Sequence, residues 1–290
     1  MDYATQSRFS DPGRHADWLD ATPADLAALR DVASGLVFHH WAHGDPTGHG
    51  FAPERFPEID LRYAEAMLGR LRELNPAPLG VERVPTERIL GCCRDFTLLY
   101  VTMLRHHGIP ARTRVGFGNY LMPGWHVDHV VAEVWDGHRW RLVEPGFPAD
   151  NQLDVDVLDV PRDRFLVGAD AWRAHRDGRL DPAKAVVSPD LADPYTRGRP
   201  YLRHNLVLDL AALNKHEMVL WDFWGPRGLD PVVTEAEAAR ADELAAVDPN
   251  DLAAVRRAFE AADVRVPPVI RSRNPLTGVT AEVRLAAGVH

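Results

Sequence analysis

The chain has 290 residues, of which 46% are hydrophobic and 26% charged, an ordinary globular composition that predicts a packed core in one large domain or two modest ones. A formal net charge of -9 with no basic block argues against a non-specific nucleic-acid surface, which needs clustered Lys and Arg. No apolar run reaches the roughly 18 residues of a membrane span. No glycine-rich phosphate loop of Walker type and no strand–Gly-x-Gly-x-x-Gly–helix unit is present, so neither a membrane nor a nucleotide partner is expected.

In chain order, the opening MDYATQSRFSDPGRHADW lacks the apolar stretch of a signal peptide. The first helix is expected over Pro23 to Ser34, with Thr22 as N-cap, Pro23 at the first helical position and Gly35 at the end. A His-rich, turn-rich stretch follows from Phe38 to Pro57. The second helix is expected over Leu61 to Leu74, because Leu61, Ala64, Leu68, Leu71 and Leu74 recur at helical spacing and Pro76 stops it. A third starts at or near Cys93, buries Phe96, Leu99, Tyr100, Met103 and Leu104, and closes at Gly108 and Pro110.

The pattern then changes to strands: Arg112 to Gly116, the Val-rich His129 to Trp135, and Arg139 to Val143. The last two are joined by Trp135-Asp136-Gly137-His138, where Asp-Gly is a strong hairpin signal. Proline and aspartate punctuate Phe147 to Pro200. Helices are expected again at about Leu202 to His216, Thr234 to Val247 and Asp251 to Ala262, with Thr234 and Glu237 spaced as a capping box. The end, Ala286 to His290, is expected to be frayed. With no linker in view, the expectation is a single domain over 1–290, with a core at about 60–150 and a helical extension at about 160–265.

The two cysteines, Cys92 and Cys93, are neighbours and so pair poorly with each other. Without a disulfide framework, a reducing cytoplasm is the expected setting. Cys93 sits where a helix begins, and free N–H groups with the positive dipole end favour a thiolate and an oxyanion there. Such a thiolate needs a proton acceptor, and the acceptor needs a partner to fix its tautomer. His129 begins one hairpin strand and Glu144 ends the other, so the two should lie close. Taken singly, a buried cysteine, a strand-edge histidine and a Glu before proline each have a plain structural reading. Their joint arrangement is what points to chemistry.

The segments GCCRDF, GIPARTRVGFG and HVVAEVWDGHRWRLVEP resemble the transglutaminase-like superfamily, whose core runs Gly-x-Cys-Arg-Asp-Phe, Gly-Ile-Pro-Ala-Arg, His-x-x-x-Glu-Val and Trp-x-x-x-Asp-Pro. The matching positions are Gly91, Cys93, Arg94, Asp95 and Phe96, then Gly108 to Arg112, then His129, Glu133, Val134, Trp140, Glu144 and Pro145. The resemblance implies an α+β, papain-like/transglutaminase-like core, in which a nucleophile helix packs on an antiparallel sheet, with a helical C-terminal extension. It implies Cys93 as nucleophile, His129 as base and Glu144 as the orienting carboxylate, with Cys92 pointing elsewhere. It further implies thioester chemistry on an amide or ester of a small-molecule or peptide acyl donor, passed to an amine or to water. Two positions depart from the family: Glu144 stands where Asp is usual, and Val131 where Trp is usual. The pieces AWRAHRDGRLDP, DLAALNKHEMVLWDFW and VRVPPV are similar to further bacterial transglutaminase-like proteins.

Tyr120, Trp125 and His126, in the loop before the Val-rich strand, are the expected substrate contacts, since an aromatic loop beside a thiol suits acyl-group recognition. His126 also competes with His129 as the base. His39, His40 and His43 form HHWAH, which on a helix would give His39 and His43 metal-ligand spacing. No Glu or Cys completes such a site, so neither a metal nor a cofactor is expected. Two alternatives remain open at this point: a non-catalytic binding module on the same fold, and a metal protein built on His39 to His43.

Overall fold

The computed structural model describes residues 2–147, 153–225 and 230–286. Of the tail expected to be frayed, residues 287–290 lie outside the described residues. The N-terminal part contains helix α1 (Ala16–Leu19), helix α2 (Leu26–Ser34), strand β1 (Val37–His39) and helix α3 (Ala64–Leu74). Strand β2 (Ile89–Gly91) runs straight into helix α4 (Cys93–His106). Then come β3 (Ala111–Gly118), β4 (His126–Trp135) and β5 (Trp140–Val143). Beyond them lie β6 (Phe165–Val167), α5 (Gly168–Arg176), β7 (Ala185–Val186) and α6 (Gly198–Leu213). The C-terminal part adds β8 (Asp222–Phe223), α7 (Glu235–Ala245), α8 (Leu252–Phe259), β9 (Val269–Arg273) and β10 (Thr280–Arg284). The architecture is α+β.

The main sheet has the order β5-β4-β3-β6, with β7 pairing the start of β4. Each neighbouring pair in that order is antiparallel, and β7 is parallel to β4. α4 lies on this sheet. Phe96, Leu99, Tyr100, Met103 and Leu104, the face expected from its spacing, are buried in one core with Val115, Val130, Ala132, Val134 and Val143. A second core, around Trp172, Leu202, Leu206 and Leu244, joins α5, α6 and α7. The hairpin forms at the expected place. Trp135 pairs Trp140, the Asp136 side chain accepts from the His138 and Arg139 backbone N–H groups at 2.9 and 2.8 Å, and Gly137 takes φ 96°.

Several boundaries differ from expectation for definite reasons. α2 starts at Leu26 because the Asp25 side chain caps it, accepting from the Ala28 N–H at 2.9 Å. Thr22, expected as the cap, instead donates its hydroxyl to the Leu19 carbonyl at 2.6 Å. The HHWAH stretch is not a helix: His39 ends β1 and His40 to His43 turn away from it, so the helical ligand spacing does not arise. β1 and β2 are short enough to escape a periodicity reading, yet they pair in parallel with His39 opposite Gly91. The extension carries its expected helices, and in addition β8, β9 and β10 form a three-stranded antiparallel sheet. Among the described residues no helix is long and apolar enough to cross a membrane.

Candidate active site

The site begins with the way β2 hands over to α4. A Cβ on Gly91 would stand 2.5 Å from an Asp95 carboxylate oxygen and 2.9 Å from Val37, so only glycine lets the strand pass so close to both. Asp95 reaches back to accept the Cys92 backbone N–H at 2.8 Å, satisfying an orphan donor at the helix start. Arg94 is buried, bonds Asp95 at 3.0 Å, and donates to the carbonyls of Arg62 at 2.6 Å and Glu217 at 3.0 Å. Arg94 and Asp95 therefore build the turn that aims Cys93. Thr97, one helical turn on, donates to the Val130 carbonyl at 2.9 Å and so pins the head of α4 to β4 next to His129.

The register of β4 and β5 sets the other two groups. Ala132 pairs Val143, which puts Glu144 opposite Val131 and diagonal to His129 on the same face. Their side chains close that diagonal: His129 Nε2 and Glu144 Oε2 are 2.6 Å apart. The other Glu144 oxygen accepts the Gly146 N–H at 2.8 Å, while Tyr120 donates its hydroxyl to Oε2 at 2.6 Å. Arg30 holds the Glu144 backbone carbonyl at 2.8 Å. With Nε2 committed to Glu144, Nδ1 is the ring nitrogen left for Cys93, and the two groups interact electrostatically. Cys93 is 4% exposed and Glu144 wholly buried, so these interactions act in a medium that screens them little.

The electrostatics follow from that row. The Cys93 thiol is held well below its ordinary range, first by a hydrogen bond from the Cys92 thiol, then, against burial, by attraction to His129 and hydrogen bonds from His129 and His39. Cys92 moves the opposite way, raised by burial and by that same bond, and so stays a thiol. Burial alone would push the His129 imidazole down, but Glu144 and Cys93 together raise it well above its usual value. Burial pushes the Glu144 carboxyl up, and His129, Tyr120 and Gly146 more than reverse it. These directions favour a charged sulfur on Cys93 beside a charged His129 and an ionised Glu144.

The other expected residues are placed differently. Cys92 is buried, and its thiol is among the groups that lower the Cys93 thiol. Tyr120 is buried with its hydroxyl spent on Glu144, so it holds the carboxylate rather than facing a substrate. Trp125 lies on an open cleft of about 510 Å³ with Lys184, Arg197 and Arg199, and Lys184 Nζ sits 4.1 Å from its ring centroid. Neither Cys93 nor His129 lines that cleft. His126, three residues before His129, pairs Ala185 at the start of β4; its half-buried ring has Nδ1 without a hydrogen-bond partner. Asp128 accepts from the Tyr201 hydroxyl, and burial beside the Cys93 charge pushes its carboxyl up to about 7. Among the described residues no group of three His, Cys, Asp or Glu is arranged to hold a metal ion.

One residue of the site escaped sequence reasoning in this role. His39, considered there only as part of a metal motif, stands opposite Gly91 and packs on Phe96 at the head of the Cys93 helix, and it is among the groups that lower the Cys93 thiol. The signal that could have found it is the pair of short apolar runs Leu36-Val37-Phe38 and Ile89-Leu90, whose pairing brings His39 beside the nucleophile turn.

An α+β fold in which a buried cysteine heads a helix laid on an antiparallel sheet, with a histidine and a carboxylate brought up from that sheet, has a transglutaminase-like architecture. The family model of the Transglutaminase-like superfamily matches residues 69–145. That match spans Cys93, His129 and Glu144. A solved chain from Cytophaga hutchinsonii, described as a candidate cysteine protease, is similar over 57% of this chain and 44% of its own length, at 17% identity and a TM-score of 0.33. The chain thus spans less than half of that structure. No curated protein matches it.

Proposed function

We propose that the protein is a cysteine-dependent acyl-group enzyme in which Cys93 is the nucleophile, His129 the proton carrier and Glu144 the group that orients and charges His129. The Cys93 thiolate attacks an amide or ester carbonyl. The imidazolium of His129 protonates the leaving amine or alcohol as the tetrahedral intermediate collapses, and a thioester remains on Cys93. Neutral His129 then takes a proton from the incoming amine or water, whose attack releases Cys93 as thiolate again. Glu144 serves both halves by favouring the charged imidazole when it forms.

The observation that carries this reading is the row of Cys93, His129 and Glu144, with His129 bonded at 2.6 Å to a carboxylate that is itself fully engaged. Burial of the sulfur favours transfer to a bound amine as readily as hydrolysis, because a shielded thioester lasts until an acceptor enters. Trp125 and the Lys184, Arg197 and Arg199 side chains around it offer a face for the more distant part of a donor. Incubation with p-nitrophenyl acetate should leave an acetyl group on Cys93, read by peptide mass. Acetylation elsewhere, or none above the Cys93→Ala background, would remove the proposal.

A further inference from the structure

We propose that His39 is an oxyanion donor of this site, acting through Nε2–H together with the backbone N–H of Cys93; the assignment rests on the acyl-enzyme reading above and deepens it.

His39 is brought to the nucleophile by the β1–β2 ladder, where it stands opposite Gly91, two residues before Cys93. Its ring is then fixed from several sides. It stacks on His40, with centroids 5.1 Å apart and planes 14° from parallel, and on Phe96 of α4 at 6.4 Å and 21°. Its Nδ1 accepts the backbone N–H groups of Trp41 and Ala42, each at 3.2 Å. Its own backbone N–H is tied to His43 Nδ1 at 3.0 Å. A nitrogen that accepts two N–H groups cannot carry a proton, so the ring's proton is on Nε2. With Nδ1 used up, Nε2–H is the donor His39 has left for Cys93, which lies two residues beyond its ladder partner Gly91.

The neighbouring histidines keep this tautomer in place. His40 Nδ1 lies 3.1 Å from the Gly91 carbonyl and so carries its own proton toward that acceptor. Burial holds both His40 and His43 neutral, pushed down to about 4. The second donor is already present. The Cys92 N–H is taken by Asp95, whereas the Cys93 N–H has no acceptor among the described residues.

The charge bookkeeping of the reaction gives these donors their task. Before attack the negative charge is on Sγ, and His39 Nε2–H serves it there. As the sulfur lone pair forms the C–S bond, the carbonyl π electrons move to oxygen, and sulfur becomes a neutral thioether. A donor fixed beside the sulfur can follow the charge to the adjacent oxygen with little reorganisation, which is the condition for differential stabilisation. His39 is partly exposed, at the rim of the buried thiolate, where a carbonyl oxygen would enter.

Two probes separate this role from others. Alkylation of Cys93 by iodoacetamide is a displacement that develops no oxyanion, whereas acylation by p-nitrophenyl acetate does. His39→Phe keeps a ring to stack on His40 and Phe96 but has no N–H; His39→Gln restores an N–H donor. Each rate is compared on its high-pH plateau, where a shift in the thiol's titration no longer contributes. We expect His39→Phe to lose on the order of 10²–10³ in acylation while its alkylation stays within about threefold of the parent. His39→Gln should recover at least about tenfold of that loss. Acylation by His39→Phe at the parent rate would overturn the assignment, as would an equal loss with both probes or the absence of any recovery in His39→Gln. If the unmutated protein shows no Cys93-dependent reaction with either probe, the acyl-enzyme reading fails first, and that result differs from every one that indicts His39 alone.

Discussion

Strand β4 carries two buried clusters of charge only four residues apart, and they behave in opposite ways. Near its end, Glu133 gathers Arg112 at 2.6 Å, Arg114 at 2.8 Å and Arg162 at 2.5 Å, while Arg114 also grips Asp209 through 2.9 and 2.7 Å bonds. Nearer its start, His129 links Glu144 to Cys93. Burial pushes the Glu133 carboxyl up, but the three guanidinium groups win and hold it far below its usual range. Guanidinium never gives up its proton at working pH, so that cluster is locked in one state. At the other cluster the partners are a thiol and an imidazole, whose ordinary values lie close enough that surroundings decide where the proton sits. Equal burial thus yields a fixed strut in one place and a movable proton in the other. The difference comes from the type of cation.

Substitutions in each cluster should break this contrast in different currencies. The largest effect belongs to Cys93→Ala, which should lower turnover of an activated ester by on the order of 10⁴–10⁶ while the thermal midpoint stays within a few degrees of the parent. Unfolding of that variant would instead make Cys93 a packing residue. Next is Arg114→Met, which leaves Glu133 short of one partner and Asp209 of its guanidinium. It should cost about 3–5 kcal/mol in denaturant unfolding, with little change in the Cys93 alkylation rate per folded molecule. A cost below about 1 kcal/mol would show that the cluster contributes nothing net.

Smaller still is Tyr120→Phe, which removes one of the three donors to the Glu144 carboxylate. A hydrogen bond to a charged group is worth about 1.5–3 kcal/mol, so esterase turnover should fall by roughly tenfold or somewhat more. The acid limb of its pH profile should move to higher pH, because Tyr120 is one of the donors that hold the Glu144 carboxyl down. An unchanged limb would mean that Tyr120 plays no part in keeping Glu144 charged.

Much of this was legible from residue order, and the exceptions share a cause. The Cys93 helix, its buried face and the Asp-Gly hairpin follow from spacing and turn chemistry, and the His129–Glu144 contact follows from strand register. The role of His39 does not, because it depends on a parallel pairing of two three-residue strands about fifty positions apart, which no local period encodes. The commitment of Tyr120 to Glu144 is hidden for the same reason: an aromatic in a loop has no register, so its partner is set only once the loop packs. The capping of α2 by Asp25 rather than Thr22 reflects two acceptable caps close in sequence, of which packing selects one. The sheet of β8, β9 and β10 is built from short, partly exposed strands whose pattern is too brief to stand out.

The most direct test is the rate of iodoacetamide alkylation followed across pH, with each cysteine read separately by peptide mass. The Cys93 thiolate is favoured by its partners in the fold, so its reactivity should persist well into acid, below the ordinary thiol range, and fall only when the sulfur is finally protonated. His129 is raised, so the paired state should be lost at the alkaline end only above the ordinary imidazole value. By the same signs, the stability the pair supplies is lost toward acid through Cys93 and toward alkali through His129. Cys92, held as a thiol, should remain unlabelled throughout that window. Labelling of Cys92 first, or a Cys93 rate that simply tracks an ordinary thiol near pH ~8.5, would contradict the thiolate–imidazolium pair.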